Sequence, residues 1–107
     1  MIKSLEKLLA EGKDDPLLRL SLGNAYAKKD PLRATEHLRK ALSMDRENPA
    51  IWKALGKSLT ILGNISEAQE VYGEGISTAE KKGLFQAAKE MKVFLRRLKK
   101  LKQNKTA

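Results

Sequence analysis

Asn48-Pro49-Ala50-Ile51-Trp52-Lys53-Ala54-Leu55-Gly56-Lys57-Ser58-Leu59 is the stretch that decides the fold of this 107-residue chain. Asparagine followed by proline starts a helix: the Asn48 side chain accepts from unpaired amides of the first turn, and Pro49 has no amide to satisfy. Apolar Ile51, Trp52, Leu55, Leu59 and Leu62 then recur at three-to-four-residue spacing until Gly63 stops the run. That spacing puts them on one face of a helix. The stretch also has an earlier counterpart. Pro16-x5-Leu22-Gly23-x2-Tyr26 is answered 33 residues later by Pro49-x5-Leu55-Gly56-x2-Leu59.

The following segment repeats as well. Ala34, Leu38, Ala41 and Leu42 are answered 34 residues later by Ala68, Tyr72, Gly75 and Ile76. The one-residue difference falls between Lys28-Lys29-Asp30-Pro31 and Leu62-Gly63-Asn64-Ile65-Ser66, in a turn, where length changes are tolerated best. Each copy therefore reads as two helices. In the first, Asp15-Pro16 opens a helix with Leu17, Leu18, Leu20, Leu22 and Tyr26, and Asp30-Pro31 opens a partner with Leu32, Ala34, Leu38, Ala41 and Leu42. In the second, Ser66 is the expected cap of a helix whose inward face is Ala68, Val71, Tyr72, Gly75, Ile76 and Ala79. Gly73 and Gly75 each cost such a helix about 1 kcal/mol relative to Ala, and close approach of a neighbouring helix at Gly75 is the expected compensation.

Composition bounds the chemistry. Hydrophobic residues make up 41% and charged residues 33%, which suits one compact domain. With no cysteine and one histidine, the chain cannot build a Cys-rich zinc site, a disulfide framework or a cysteine nucleophile. His37 has no acid-base partner nearby in sequence and reads as a surface or inter-helix residue. Asp14-Asp15 reads as helix capping, and Gly73-Glu74-Gly75 lies inside a helix rather than in a phosphate loop after a strand. No enzyme activity, metal or cofactor is expected. No signal-like leader or membrane span is seen, so the expected compartment is the cytoplasm.

The period near 34 and the pattern W-x2-L-G-x2-Y…A-x3-F…A resemble the tetratricopeptide repeat family. Copy two supplies Trp52, Leu55, Gly56, Ala68 and Tyr72, with Leu59 where Tyr is usual and Gly75 where Ala is usual. Copy one supplies Leu22, Gly23, Tyr26, Ala34, Leu38 and Ala41, with Arg19 in the Trp place. The resemblance implies an all-α, right-handed superhelix of antiparallel helix pairs with six helices. Its parts would be a packing helix in 1–15, repeats in 16–48 and 49–82, and a cap helix with a basic tail in 83–107. Two repeats fall short of the three or so such arrays need. The flanks must therefore pack: Ile2, Leu5, Leu8 and Leu9 form an amphipathic helix ended by Gly12, and Leu84, Ala87, Ala88, Met91, Phe94, Leu95, Leu98 and Leu101 form one over about 84–102.

The family resemblance further implies a non-enzymatic module that binds a peptide or protein segment on the concave wall made by the first helix of each repeat. Here that wall would carry Leu17, Leu20, Asn24, Ala50, Lys53, Ala54, Lys57 and Thr60, flanked by Leu84, Ala88 and Met91. The carboxylate clamp of some members is not carried over, because Leu20, Ala54, Leu84 and Ala88 stand where its Lys, Asn and Arg residues belong. Lys53 and Lys57, one turn apart, point to a segment with acidic and apolar side chains, or else are simply solvated.

Charge offers a second reading. Residues 1–80 balance twelve Lys/Arg against twelve Asp/Glu, whereas 81–107 hold ten Lys/Arg and one acid, Glu90, so the net +9 lies entirely in the tail. Lys89, Lys92, Arg96, Arg97, Lys99, Lys100, Lys102 and Lys105 would neutralise phosphates of a nucleic acid or an anionic surface, with strong salt dependence. The bland alternative is that they complement the helix dipole and solubilise the end of the array. Monomer and homodimer both stay open.

Overall fold

The computed structural model describes residues 1–106, except the side chains of 105 and 106. Six helices follow one another: α1 (Ile2–Ala10), α2 (Pro16–Tyr26), α3 (Pro31–Met44), α4 (Pro49–Ile61), α5 (Ile65–Lys81) and α6 (Phe85–Thr106), with no strand among the described residues. Each packs on the next, and α2, α4 and α6 also meet along one side, which makes a row of helical hairpins 49 Å long.

The helix starts are set by the chemistry expected of them. Asp15 accepts a hydrogen bond from the Leu18 amide at 2.8 Å, Asp30 from Arg33 at 3.2 Å and Asn48 from Ala50 at 3.0 Å, each just ahead of a proline at the first helical position. The expected cap at Ser66 is corrected. Gly63, with φ of 82°, ends α4 and turns the chain so tightly that α5 begins at once, its first bond running from the Ala68 amide to the Asn64 carbonyl at 3.0 Å. Ser66 is already inside the helix, and its hydroxyl instead accepts from Lys102 Nζ at 2.8 Å. Leu17 and Leu32 stand 65% and 60% exposed, because the buried faces of α2 and α3 begin later, at Leu18 and Ala34.

Two apolar clusters hold the row together. The larger joins Leu38, Ala41 and Leu42 of α3 to Ile51, Trp52, Leu55 and Leu59 of α4, Ala68, Val71, Tyr72 and Ala79 of α5, and Ala88, Met91 and Leu98 of α6. The smaller gathers Leu18, Leu22, Tyr26 and Ala34, with Ile2, Leu5 and Leu9 of α1 only half covering it. Close approach at Gly75 is as expected. A Cβ there would sit 2.6 Å from Met91 Sδ and 2.8 Å from Trp52 Cβ, so glycine lets α5 lie between α4 and α6. Gly73 faces open space, and nothing in the packing explains it.

Candidate functional site

Helices α2, α4 and α6 form the wall on which the sequence placed a binding face, but the third of them is shifted. Helices α2 and α4 open 33 residues apart, at Pro16 and Pro49, whereas α6 opens 36 after α4, at Phe85, because α5 runs to 17 residues against 14 for α3. The sequence set Ala88 and Met91 beside the wall, as flanking residues of the cap helix. They are instead 2% and 0% exposed, with Met91 against Gly75. Their place is taken by Glu90, Phe94 and Arg97.

This shift gives Lys53 and Lys57 partners that sequence reasoning missed. Lys53 Nζ lies 3.2 Å from Glu90 Oε2, so the one acid of the basic segment closes onto the wall. Lys57 Nζ stands 5.3 Å from the centre of the Phe94 ring, and Arg97 Cζ 5.9 Å from the same ring. Both are within cation–π reach. Between them Lys57, Thr60 and Ile61 of α4, Tyr72 of α5, and Phe94, Arg97 and Leu98 of α6 line a cleft of about 310 Å³. Its surface is carbon-rich and its rim cationic. Thr60 donates to the Gly56 carbonyl at 2.8 Å. Burial pushes the Tyr72 hydroxyl above the ordinary phenol range, partly offset by contact with Thr60. The spacing of Phe94 and Arg97, three apart on one helix, was a readable sign of a shared face; reading one as core and the other as tail hid it.

The remaining wall residues do not join this cleft. Leu17 is exposed at the start of α2, and Leu20 is half-buried against the larger cluster. Asn24 belongs to a separate shallow hollow with Met1, Leu5, Ser21 and Ala25. Leu84 is 47% exposed beside another hollow near Phe85, Ala87 and Glu90.

Behind α2 lies a polar seam. Arg19, in the place Trp52 fills in copy two, binds Asp14 through two hydrogen bonds of 2.7 and 2.8 Å and sets Nη1 3.0 Å from His37 Nδ1. Guanidinium only donates, so Nδ1 accepts and the imidazole is neutral with its proton on Nε2, 3.8 Å from Glu6. Burial, aided by the Arg19 charge, holds the His37 pKa below its usual value. The ring stacks on Tyr26 at 5.7 Å, and the Tyr26 hydroxyl donates to Glu6 at 3.0 Å, tying α1 to α2. No nucleophile stands beside His37, and no three His, Asp or Glu side chains converge as metal ligands among the described residues.

The tail cations divide between surfaces. Arg97 belongs to the cleft, Lys92 pairs with Glu80 at 2.8 Å, and Lys102 bonds Ser66. Lys89, Arg96, Lys99 and Lys100 are exposed. The side chain of Lys105 lies outside the described residues. No described helix is long and apolar enough to cross a membrane.

Comparison with known proteins agrees with this architecture. The tetratricopeptide repeat model matches residues 25–91. A TPR repeat-containing protein of Pseudomonas aeruginosa is 44% identical over 99 residues, covering 92% of this chain and 94% of that protein. Among solved structures, a protein of Bordetella parapertussis that is 40% identical superposes with a TM-score of 0.83 over 94% of this chain and 88% of its own. A tetratricopeptide repeat domain protein of Salinibacter ruber, 24% identical, shares the fold with a TM-score of 0.76 over 82% of this chain and 90% of its own. Such repeats generally mediate contacts between proteins and are typically non-catalytic scaffolds. With its hairpins, its Trp52-Leu55-Gly56 signature and these relatives in agreement, the chain belongs to the tetratricopeptide repeat family.

Proposed function

We propose that this protein is a non-enzymatic, cytoplasmic interaction module whose α2–α4–α6 wall holds an extended segment of another protein. The cleft between α4 and α6 takes an apolar side chain of that segment, and flanking carboxylates meet Lys57 and Arg97. The observation that carries this reading is the cleft itself: an apolar floor of Ile61, Tyr72, Phe94 and Leu98 rimmed by two cations. An apolar anchor with a few placed charges is the usual chemistry of peptide sites. The Lys53–Glu90 pair fits the same preference, since Glu90 occupies the cation that a carboxylate of the partner would otherwise reach.

Calorimetry against an array of synthetic decapeptides, each with one central Leu or Phe and either Glu or Lys flanks, tests the proposal. The Glu-flanked set binds and the Lys-flanked set does not. Changing Lys57 and Arg97 to Glu together weakens binding by about tenfold or more, equivalent to at least ~1.4 kcal/mol, while Glu90→Gln tightens it. Equal affinity for both flank types, or no response to the double charge reversal, refutes it.

A further inference from the structure

Five cations of α6 lie on the side of the helix that the groove does not use. At 100° per residue, Lys89, Lys92, Arg96, Lys99 and Lys100 fall within an arc of about 100° and a length of about 16 Å. The opposite side of the same helix carries Met91 and Leu98, which are buried. The stripe is thus the outward face of α6, and among its five residues only Lys92 is in an ion pair, with Glu80, among the described residues. It runs into a polar notch where Gln69 of α5 meets Lys99, Lys102 and Gln103 of α6. Residues 1–80 sum to zero charge, so nothing else in the chain offsets this face.

We infer that this outward face of α6 binds the phosphodiester backbone of a nucleic acid without reading its sequence. A straight row of cations on a convex rod matches a linear polyanion, and it offers no pocket for the side chains of a peptide. A membrane-surface helix sets a continuous apolar face beside its cations, but here Ala88, Met91, Phe94, Leu95 and Leu98 are turned onto α4 and α5, and of the exposed pair Phe85 and Leu101 only Phe85 lies beside the stripe. Base-specific contact is not part of the interaction. Phe94 lies over the groove, with Lys57 and Arg97 on its ring, and Phe85, exposed one turn ahead of Lys89, is a single ring beside the stripe, too little for the successive stacking that base contact along a strand uses. Binding therefore comes from release of counterions and carries their salt signature.

Fluorescence anisotropy of the whole protein with a labelled 20-nucleotide oligouridylate, a DNA duplex of equal length, and vesicles containing phosphatidylserine tests the inference. For the single strand, up to five neutralised phosphates give a log K against log salt slope of about −3.5, at about −0.7 per phosphate. The triple variant Lys89→Gln, Arg96→Gln, Lys100→Gln shallows that slope by about 2 at an unchanged melting temperature. Lys53→Glu with Lys57→Glu leaves it unaltered. Stronger binding to the duplex than to the single strand assigns the face to DNA, and the reverse assigns it to RNA. The inference is overturned if the triple variant keeps the wild-type slope, if the groove variant loses the nucleic acid equally, or if vesicles bind and neither nucleic acid does. Peptide binding by the groove is read separately, so the failure of one site does not conceal that of the other.

Discussion

Arg19 and Trp52 hold the same place in the two copies of the repeat, and around them the molecule has solved one packing problem in two ways. Trp52 is 4% exposed, donates its indole N–H to the Arg46 carbonyl at 2.8 Å and has the Arg46 guanidinium 4.9 Å over its ring. Around it helices α3 to α6 share a continuous apolar cluster. Arg19 instead organises Asp14 and His37 into a polar seam, and the apolar cluster beside it is small and half open to α1. Identical topology therefore does not mean equal cohesion. The carboxyl-terminal half is held by burial, which stabilises in proportion to area removed from water, and the amino-terminal half by hydrogen-bonded charges near the surface, whose net contribution is smaller.

Three experiments would break or sharpen this contrast. The largest expected effect is Trp52→Ala, which removes a buried ring and costs about 3–5 kcal/mol, whereas Arg19→Ala costs about 1 kcal/mol. Urea denaturation measures both, and equal losses would mean the seam is as cohesive as the core. Next comes the glycine pair. Gly75→Val forces its branched side chain against Met91 and Trp52 and destabilises by about 1–3 kcal/mol, while Gly73→Ala meets open space and stabilises by up to about 1 kcal/mol through helix propensity alone. Thermal melting of the two variants should move in opposite directions.

The smallest effect is on pH. His37 is held neutral when folded, below its unfolded pKa, so the unfolded chain takes up the proton first. Its contribution is intact above about pH 6.5 and is lost as pH falls from there toward the folded value. His37→Asn, whose side-chain oxygen can accept from Arg19 in place of Nδ1, should flatten the melting temperature across that window. Asp14 and Glu67, whose carboxyl pKa values are lowered by Arg19 and Arg39, lose their contributions only in more acid solution, so the two effects separate on the pH axis.

The repeat made most of the fold legible. Proline after a capping residue fixed three helix starts, and an otherwise costly Gly75 pointed to a close approach that is there. Legibility ended where the signature ended. Helix α6 carries no Trp-Leu-Gly motif, so nothing in its sequence announced that a longer α5 had moved it relative to the repeat period. The candidate site suffered accordingly: Lys57 and Thr60 line the cleft, but Phe94, Arg97 and the Glu90 contact depend on that displacement. Long-range pairings such as Arg39 with Glu67, at 2.6 Å across 28 residues, are likewise set by how hairpins stack and leave no local mark.

Helix α1 packs along α2 alone, apart from the 3.8 Å approach of Glu6 to His37 of α3, and buries none of its residues fully. It is held by Ile2, Leu5 and Leu9 and by Glu6, which accepts from the Tyr26 hydroxyl. In a row where every other helix has at least two neighbours, such a member can detach while the rest stands. Detachment uncovers Leu18, Leu22 and Tyr26 together, a greasy patch adjoining the shallow hollow at Asn24. The most thinly attached helix of the molecule thus covers the smaller of its two apolar clusters.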